Sequence, residues 1–231
     1  MKKKSLAKLL RVRNDTLKIG VFDSGVGGLS VVKAIERAMP DAEVVFRNDT
    51  AHFPYATRPS SEILGFILPI FKELVAADSN VIVVACNTVS TTLIDELRNR
   101  FDVPLIAVEP MVKPAAELTK SRVIAICATP TTLASDRYAW LKATYADGIT
   151  VLEPDCSDWS YMIEHEVVDE QKIASQINSV IEQGADVIVL GCTHYHWIES
   201  EIKEIADERA QVIQPEPAIV TQLQRVLARL S

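Results

Sequence analysis

The sequence predicts an α/β protein of two similar domains, each a parallel sheet covered by helices, with an active site in the cleft between them. Three observations predict it: short β-branched apolar runs, helical patterns between those runs, and an internal echo that sets a cysteine at the same point of each half.

The apolar runs cover residues 17–22, 43–46, 81–85, 105–108, 122–126, 149–152 and 187–190. Runs this short and β-branched suit strands buried on both faces. Between them, residues 29–38, 60–77, 90–99, 131–145, 169–183 and 197–208 carry apolar side chains three and four positions apart, the spacing of one helix face. Strand alternating with helix predicts a parallel sheet with both faces covered.

The echo pairs Asn80-Val81-Ile82-Val83-Val84-Ala85-Cys86-Asn87-Thr88 with Ala185-Asp186-Val187-Ile188-Val189-Leu190-Gly191-Cys192-Thr193-His194, the two cysteines standing 106 positions apart. Similarly, the run ending at Phe22 opens into Asp23-Ser24-Gly25, and the run ending at Ile126 opens into Cys127-Ala128-Thr129. The expected organisation is a basic extension at 1–15, a first domain over 16–108 plus 213–231, and a second over 109–212. In open parallel sheets, ligands bind beyond the carboxyl ends of the strands. Asp23, Ser24, Cys86, Asn87, Cys192, Thr193 and His194 all fall there.

Composition narrows the function classes. The chain has 231 residues, 48% hydrophobic and 24% charged, which fits a globular enzyme with a buried core. Its net charge of −7 is unevenly spread: the first fourteen residues carry +6, which leaves −13 on the rest. A body that acidic is a poor partner for nucleic acid. Leu6-Ala7-Lys8-Leu9-Leu10 is too short and too interrupted for a secretory signal, and no run is long enough to span a bilayer. A cytoplasmic location is expected, with Cys86, Cys127, Cys156 and Cys192 as free thiols.

Several motifs admit rival readings. Asp23-Ser24-Gly25-Val26-Gly27-Gly28 follows a strand and opens a helix, so its glycines suit positive φ or close backbone approach, and the helix start favours an anion. It lacks the third glycine of a dinucleotide fingerprint and the Gly-Lys-Ser/Thr of a phosphate-binding loop. Cys86 and Cys192 suit α-proton exchange, in which a thiolate removes the proton from one face and a thiol returns one to the other. Plain packing, a zinc site built on Cys192, His194 and His196, and a one-thiol hydrolase compete. The hydrolase leaves the second cysteine unexplained. Asp49-Thr50-Ala51-His52-Phe53-Pro54-Tyr55 reads equally as a pocket wall or an ordinary loop. Glu164-His165-Glu166 reads as a solvated helix face.

Asp23-Ser24-Gly25-Val26-Gly27-Gly28, Pro54-Tyr55, Ala85-Cys86-Asn87-Thr88, Glu109-Pro110 and Gly191-Cys192-Thr193-His194-Tyr195 together resemble, in one order, the motifs of bacterial glutamate racemases. The resemblance implies an enzyme of the aspartate/glutamate racemase superfamily that works without pyridoxal phosphate or any other cofactor or metal. By the same resemblance, Cys86 and Cys192 are the paired acid and base, with Asp23 assisting near Cys86 and His194 near Cys192. Asp23, Ser24, Tyr55, Ala56, Asn87, Thr88, Thr193 and His194 would contact substrate. Counting from Cys156 sets the second acidic assistant at Glu164.

The implied partner is a small acidic amino acid, with no nucleic acid or membrane and with a homodimer as an option, and the implied product, D-glutamate, feeds peptidoglycan. Aspartate racemases tend to carry a Met-Gly-Gly first loop and a glutamate after the second Cys-Thr, so Asp23-Ser24-Gly25 and His194 side with glutamate. A racemase of another acidic amino acid, or a non-catalytic binding relative, is the alternative. The chain departs from the family pattern at Ala56, Ala128-Thr129, Ser157 and His196-Trp197, where Gly, Gly-Thr, Pro and Pro-Leu are usual.

Overall fold

A computed structural model describes residues 16–230, so the basic head expected at 1–15 lies outside the described residues. Two four-stranded parallel sheets organise the chain. The first joins β1 (Lys18–Asp23), β2 (Glu43–Asn48), β3 (Val81–Val84) and β4 (Leu105–Ala107) in the order β2-β1-β3-β4. The second joins β5 (Val123–Cys127), β6 (Thr150–Leu152), β7 (Val187–Leu190) and β8 (Gln211–Ile213) in the matching order β6-β5-β7-β8. Each sheet reverses strand order between its two central strands, which opens a crevice at their carboxyl ends. Cys86 follows β3 and Cys192 follows β7, so each thiol stands at the crevice of its own sheet.

Strand periodicity divides the cores. Ile19, Val21, Val81 and Val83 join one apolar cluster of the first sheet, while Phe22, Ile82 and Val84 join the cluster on the other face. Burial on both faces is why these strands read as continuous apolar runs. Helices α1 (Leu29–Ala38) and α2 (Ser60–Ala76) cover the two faces through Val31, Val32 and Ile35 and through Ile63, Ile67, Phe71 and Leu74. The second sheet is sandwiched likewise between two clusters. The last helix, Glu216–Leu230, returns Ile219 and Leu223 to the first sheet. Where the chain crosses between sheets, Glu109 accepts two hydrogen bonds from Arg137, at 2.7 and 2.9 Å.

Three helical segments differ from the sequence expectation. The pattern at 90–99 splits into α3 (Asn87–Thr92) and α4 (Ile94–Arg100), broken at Leu93, whose φ of −129° leaves the helical basin. After α5 (Val112–Leu118), the pattern at 131–145 splits into two helices, α6 (Pro130–Leu133) and α7 (Asp136–Tyr145), each starting at a side-chain cap. Thr129 accepts from the Thr132 amide and Ser135 from the Tyr138 amide, which fixes two starts rather than one. The pattern at 197–208 is a tight 3₁₀ turn over Thr193–Ile198 followed by a helix over Glu199–Ala206. Neither β8, α5 nor the short helix Trp159–Glu164 is expected from sequence, since so few residues give little or no repeat of a hydrophobic period. Among the described residues, no helix is long and apolar enough to cross a membrane.

Candidate active site

The first sheet delivers Asp23, Ser24 and Cys86. Asp23 ends β1 and is fully buried; Oδ2 accepts from the Gly25 and Gly28 amides at 3.1 Å each, and Oδ1 accepts from Thr193 Oγ1 at 3.1 Å. Burial pushes its carboxyl up, opposed by the His194 charge and these hydrogen bonds. Cys86 Sγ donates to Ser24 Oγ at 3.4 Å. Burial, then the neighbouring Asp23 charge, pushes the Cys86 thiol up to about 12, so it rests protonated. No hydrogen bond joins Asp23 to Cys86; the carboxylate is spent on the glycine loop and on Thr193.

The second sheet surrounds its thiol differently. Cys192 Sγ lies 3.8 Å from His194 Nδ1, and His194 Nε2 lies 2.7 Å from Glu164 Oε2. Burial disfavours the charged ring, but the Cys192 and Glu164 contacts outweigh it and lift His194 to about 10. The imidazolium can therefore donate to Glu164 from one nitrogen and face the Cys192 sulfur with the other. Glu164 also accepts the Val26 amide at 3.0 Å; burial opposes its ionisation, yet the His194 and Val26 hydrogen bonds hold it below the usual range. The expectation of a solvated face at Glu164 is therefore corrected: its side chain is only 10% exposed, because the helix over Trp159–Glu164 ends against the glycine loop.

That loop explains its glycines by space rather than by dihedral angle. Gly25 has φ −156°, extended backbone open to any residue, so the positive-φ reading is corrected. A Cβ on Gly27 would lie 2.6 Å from Thr193 Oγ1 and 2.7 Å from the His194 amide nitrogen. A Cβ on Gly25 would lie 2.7 Å from Glu164 Oε2. The loop lets the two halves of the molecule close on each other. Its anions are the protein's own carboxylates, Asp23 and Glu164, which take the amides of Gly25, Val26 and Gly28.

A narrow cavity lies between the sheets, lined by Ser24, Tyr55, Ala56, Cys86, Asn87, Thr88, Cys192, Thr193 and His194. Every sequence-predicted site residue is on that wall except Asp23 and Glu164, which stand behind it and reach it through Thr193 and His194. Tyr55 is fixed by donating its hydroxyl to the buried Asp49, whose other contact is His52; Asp49 and His52 support the wall without joining it. Burial and the Asp49 acceptor push the Tyr55 phenol up, so it remains a neutral donor. Thr88 and Thr129 hydroxyls meet at 3.1 Å across the cleft, and Thr131 donates to the Ala56 carbonyl. Among the described residues, neither the nitrogen nor the oxygen of the buried Asn87 amide has a hydrogen-bond partner, which leaves both free to orient a substrate. His196, one member of the zinc alternative, turns from Cys192 toward Glu216, at 3.2 Å.

Phe53, Pro54, Thr129 and Ser160 also line the cavity, although the sequence reading assigned none of them to it individually. Phe53 stacks obliquely on His194, with centroids 5.1 Å apart. Ser160 gave no signal, since a serine in a short unpredicted helix reads as surface. The Ala128 departure is accommodated by Gly191, where an added Cβ would stand 3.1 Å from that of Ala128.

Comparison with known proteins gives a consistent set. A family model for Asp/Glu/hydantoin racemases matches residues 19–223. A glutamate racemase of Roseiflexus is 33% identical over 214 residues, 90% of this chain and 79% of its own. That of Deinococcus radiodurans is 36% identical over 219 residues, 92% of this chain and 76% of its own. Among solved structures, Escherichia coli glutamate racemase, in complex with L-glutamate and the activator UDP-MurNAc-Ala, superposes with a TM-score of 0.85 at 28% identity, covering 92% of this chain and 83% of that one. An aspartate racemase homologue from Pyrococcus horikoshii, at 18% identity and a TM-score of 0.58, shares the fold.

Proposed function

Because this chain belongs to the Asp/Glu/hydantoin racemase family and is an amino-acid racemase acting on glutamate, we propose that Cys86 and Cys192 carry the proton to and from the two faces of the α-carbon. The observation that supports this most is one cavity walled by both thiols, one from each sheet.

The two surroundings suggest how a cycle starts. Cys86 rests as a thiol and can donate. Cys192 lies 3.8 Å from His194 Nδ1 and, as the thiol of the other sheet, takes the part of the base. For the enantiomer whose α-hydrogen faces Cys192, the Cys192 thiolate takes that proton and Cys86 delivers its own to the opposite face. The reverse direction exchanges the roles. Asn87, Thr88, Ser24 and Thr193 supply the polar groups that orient the substrate, and closure around the cavity strengthens every electrostatic contact inside it.

The proposal extends to supply of D-glutamate for peptidoglycan in the cytoplasm, by a homodimer in which each copy holds a complete thiol pair. Incubation with L- and with D-glutamate in deuterated water tests the chemistry. Inversion with one α-deuterium per turnover is expected from either enantiomer, and stereochemical inversion that retains the original α-hydrogen would exclude two exchanging thiols.

A further inference from the structure

His196, four positions past the second thiol, joins Ser30 and Glu216 in a partly buried cluster that the proton transfer does not use. His196 Nδ1 lies 3.0 Å from Ser30 Oγ and 3.2 Å from Glu216 Oε1, and the imidazole is 2% exposed. Burial opposes ionisation of Glu216, but hydrogen bonds from His196 and Ser30 hold it below the usual carboxyl range. A carboxylate only accepts, so His196 Nδ1 is the donor, and Nε2 is left without a hydrogen-bond partner among the described residues. One nitrogen of the ring therefore does all its bonding.

The cluster joins parts of the molecule that belong to different sheets. Ser30 stands on α1, and Glu216 opens the last helix; both elements pack on the first sheet through Val31, Ile35, Ile219 and Leu223. His196 belongs to the 3₁₀ turn over Thr193–Ile198 that follows Cys192. The neighbouring Tyr195 ties that turn to the second sheet, its hydroxyl donating to the Cys156 carbonyl at 2.8 Å and its ring meeting Trp159 edge-on at 5.1 Å. Adjacent residues thus hold one turn from opposite sides. Lys33, also on α1, reinforces the first-sheet side by lying 4.6 Å from the centre of the Trp197 ring.

We infer that His196 is a positioning residue: by bonding Ser30 and Glu216, it fixes the Cys192–His194 arm against the first sheet's helices and sets proton transfer at Cys192, not at Cys86. The inference rests on the two-thiol reading. Its chemical basis is the steep dependence of proton transfer on donor–acceptor distance and angle. His196 lies four positions from Cys192 in one tight turn, whereas Cys86 leaves β3 on the other sheet beside Ser24.

Primary deuterium isotope effects on kcat/KM, measured separately with α-deuterated L- and D-glutamate, test it. His196→Leu removes the donor, and kcat should fall about tenfold with KM changed less than about threefold. The isotope effect should rise for one enantiomer, the one deprotonated by Cys192, and stay level or fall for the other. His196→Asn offers a donor near the place of Nδ1 and should return kcat to within about threefold of the parent chain. Glu216→Gln, at the start of its helix, should show the same asymmetry in weaker form, and it serves if the leucine variant does not fold. Equal changes in both isotope effects, or a lower melting temperature with both effects unmoved, would overturn the inference while leaving the two-thiol reading intact. A parent chain without α-proton exchange would remove that reading and the inference with it.

Discussion

The turns that follow β3 and β7 hold equivalent places in two sheets of equivalent strand order, yet they surround their thiols with opposite charge. After β3, Cys86 has Ser24 as its hydrogen-bond partner and the buried Asp23 carboxylate nearby, and is pushed up to about 12. After β7, Cys192 has His194 at 3.8 Å, backed by Glu164 and lifted to about 10. The difference teaches that a duplicated scaffold can supply matching positions without matching electrostatics. Strand order is set by repeated apolar patterns, whereas the charge beside Cys86 comes from Asp23 of β1, and that beside Cys192 from His194 of its own turn, backed by Glu164 of another helix.

The largest expected effect falls on both turns alike. Cys86→Ala and Cys192→Ala should each lower racemisation by about 10³-fold or more, because neither thiol can serve both faces. Coupled-enzyme or polarimetric rates check this, and near-parental activity in either variant would break the comparison at its root. Next comes the asymmetry itself. Glu164→Gln removes one of the contacts that lift His194, so the alkaline limb of the kcat profile should move to lower pH, with kcat falling about tenfold. An unmoved limb would separate Glu164 from the second arm.

The close approach between the arms is a third, smaller handle. Gly27→Ala drives a Cβ to within 2.6 Å of Thr193 Oγ1 and should destabilise the fold by about 1–3 kcal/mol. Gly65→Ala is its control: this helical glycine has open space around its missing Cβ, and alanine there should stabilise by about 0.5–1 kcal/mol. Denaturant midpoints distinguish the pair, and equal effects would remove steric closeness as the reason for Gly27. The subtlest test is the pH dependence of stability. His194 is raised from 6.5 to about 10, so its contribution is full below pH 6.5 and is lost as pH rises through about 10. Glu164 is lowered from 4.5, so its contribution is present above 4.5 and is lost as pH falls further. Thermal midpoints of the parent chain and His194→Asn should therefore converge between pH 6.5 and 10, and parallel curves would contradict a charged His194.

Much of the scaffold is legible in order along the chain. The expected helix at 29–38 coincides with α1, and the strand expected at 187–190 coincides with β7. Short continuous β-branched runs and sustained three- and four-residue spacing reveal which side chains must be buried, whatever they meet. Breaks at Leu93 and Ser135 escaped because apolar spacing continues across a cap, even though Ser135 and Thr129-Pro130 carry readable capping chemistry. The edge strand β8 escaped because it offers only two adjacent apolar residues, Val212 and Ile213, after the polar Gln211.

By itself, the sequence determined that two cysteines end equivalent buried strands, since strand identity and strand ends are local properties of pattern and turn chemistry. Only the tertiary structure decided which distant side chains hold the groups beside each sulfur. Glu164 meets His194 across 30 positions, Thr193 meets Asp23 across 170, and His196 meets Ser30 across 166. Such pairings depend on how two sheets and their helices close on one another, and hydrophobic periodicity specifies which face is hidden but not which partner hides it.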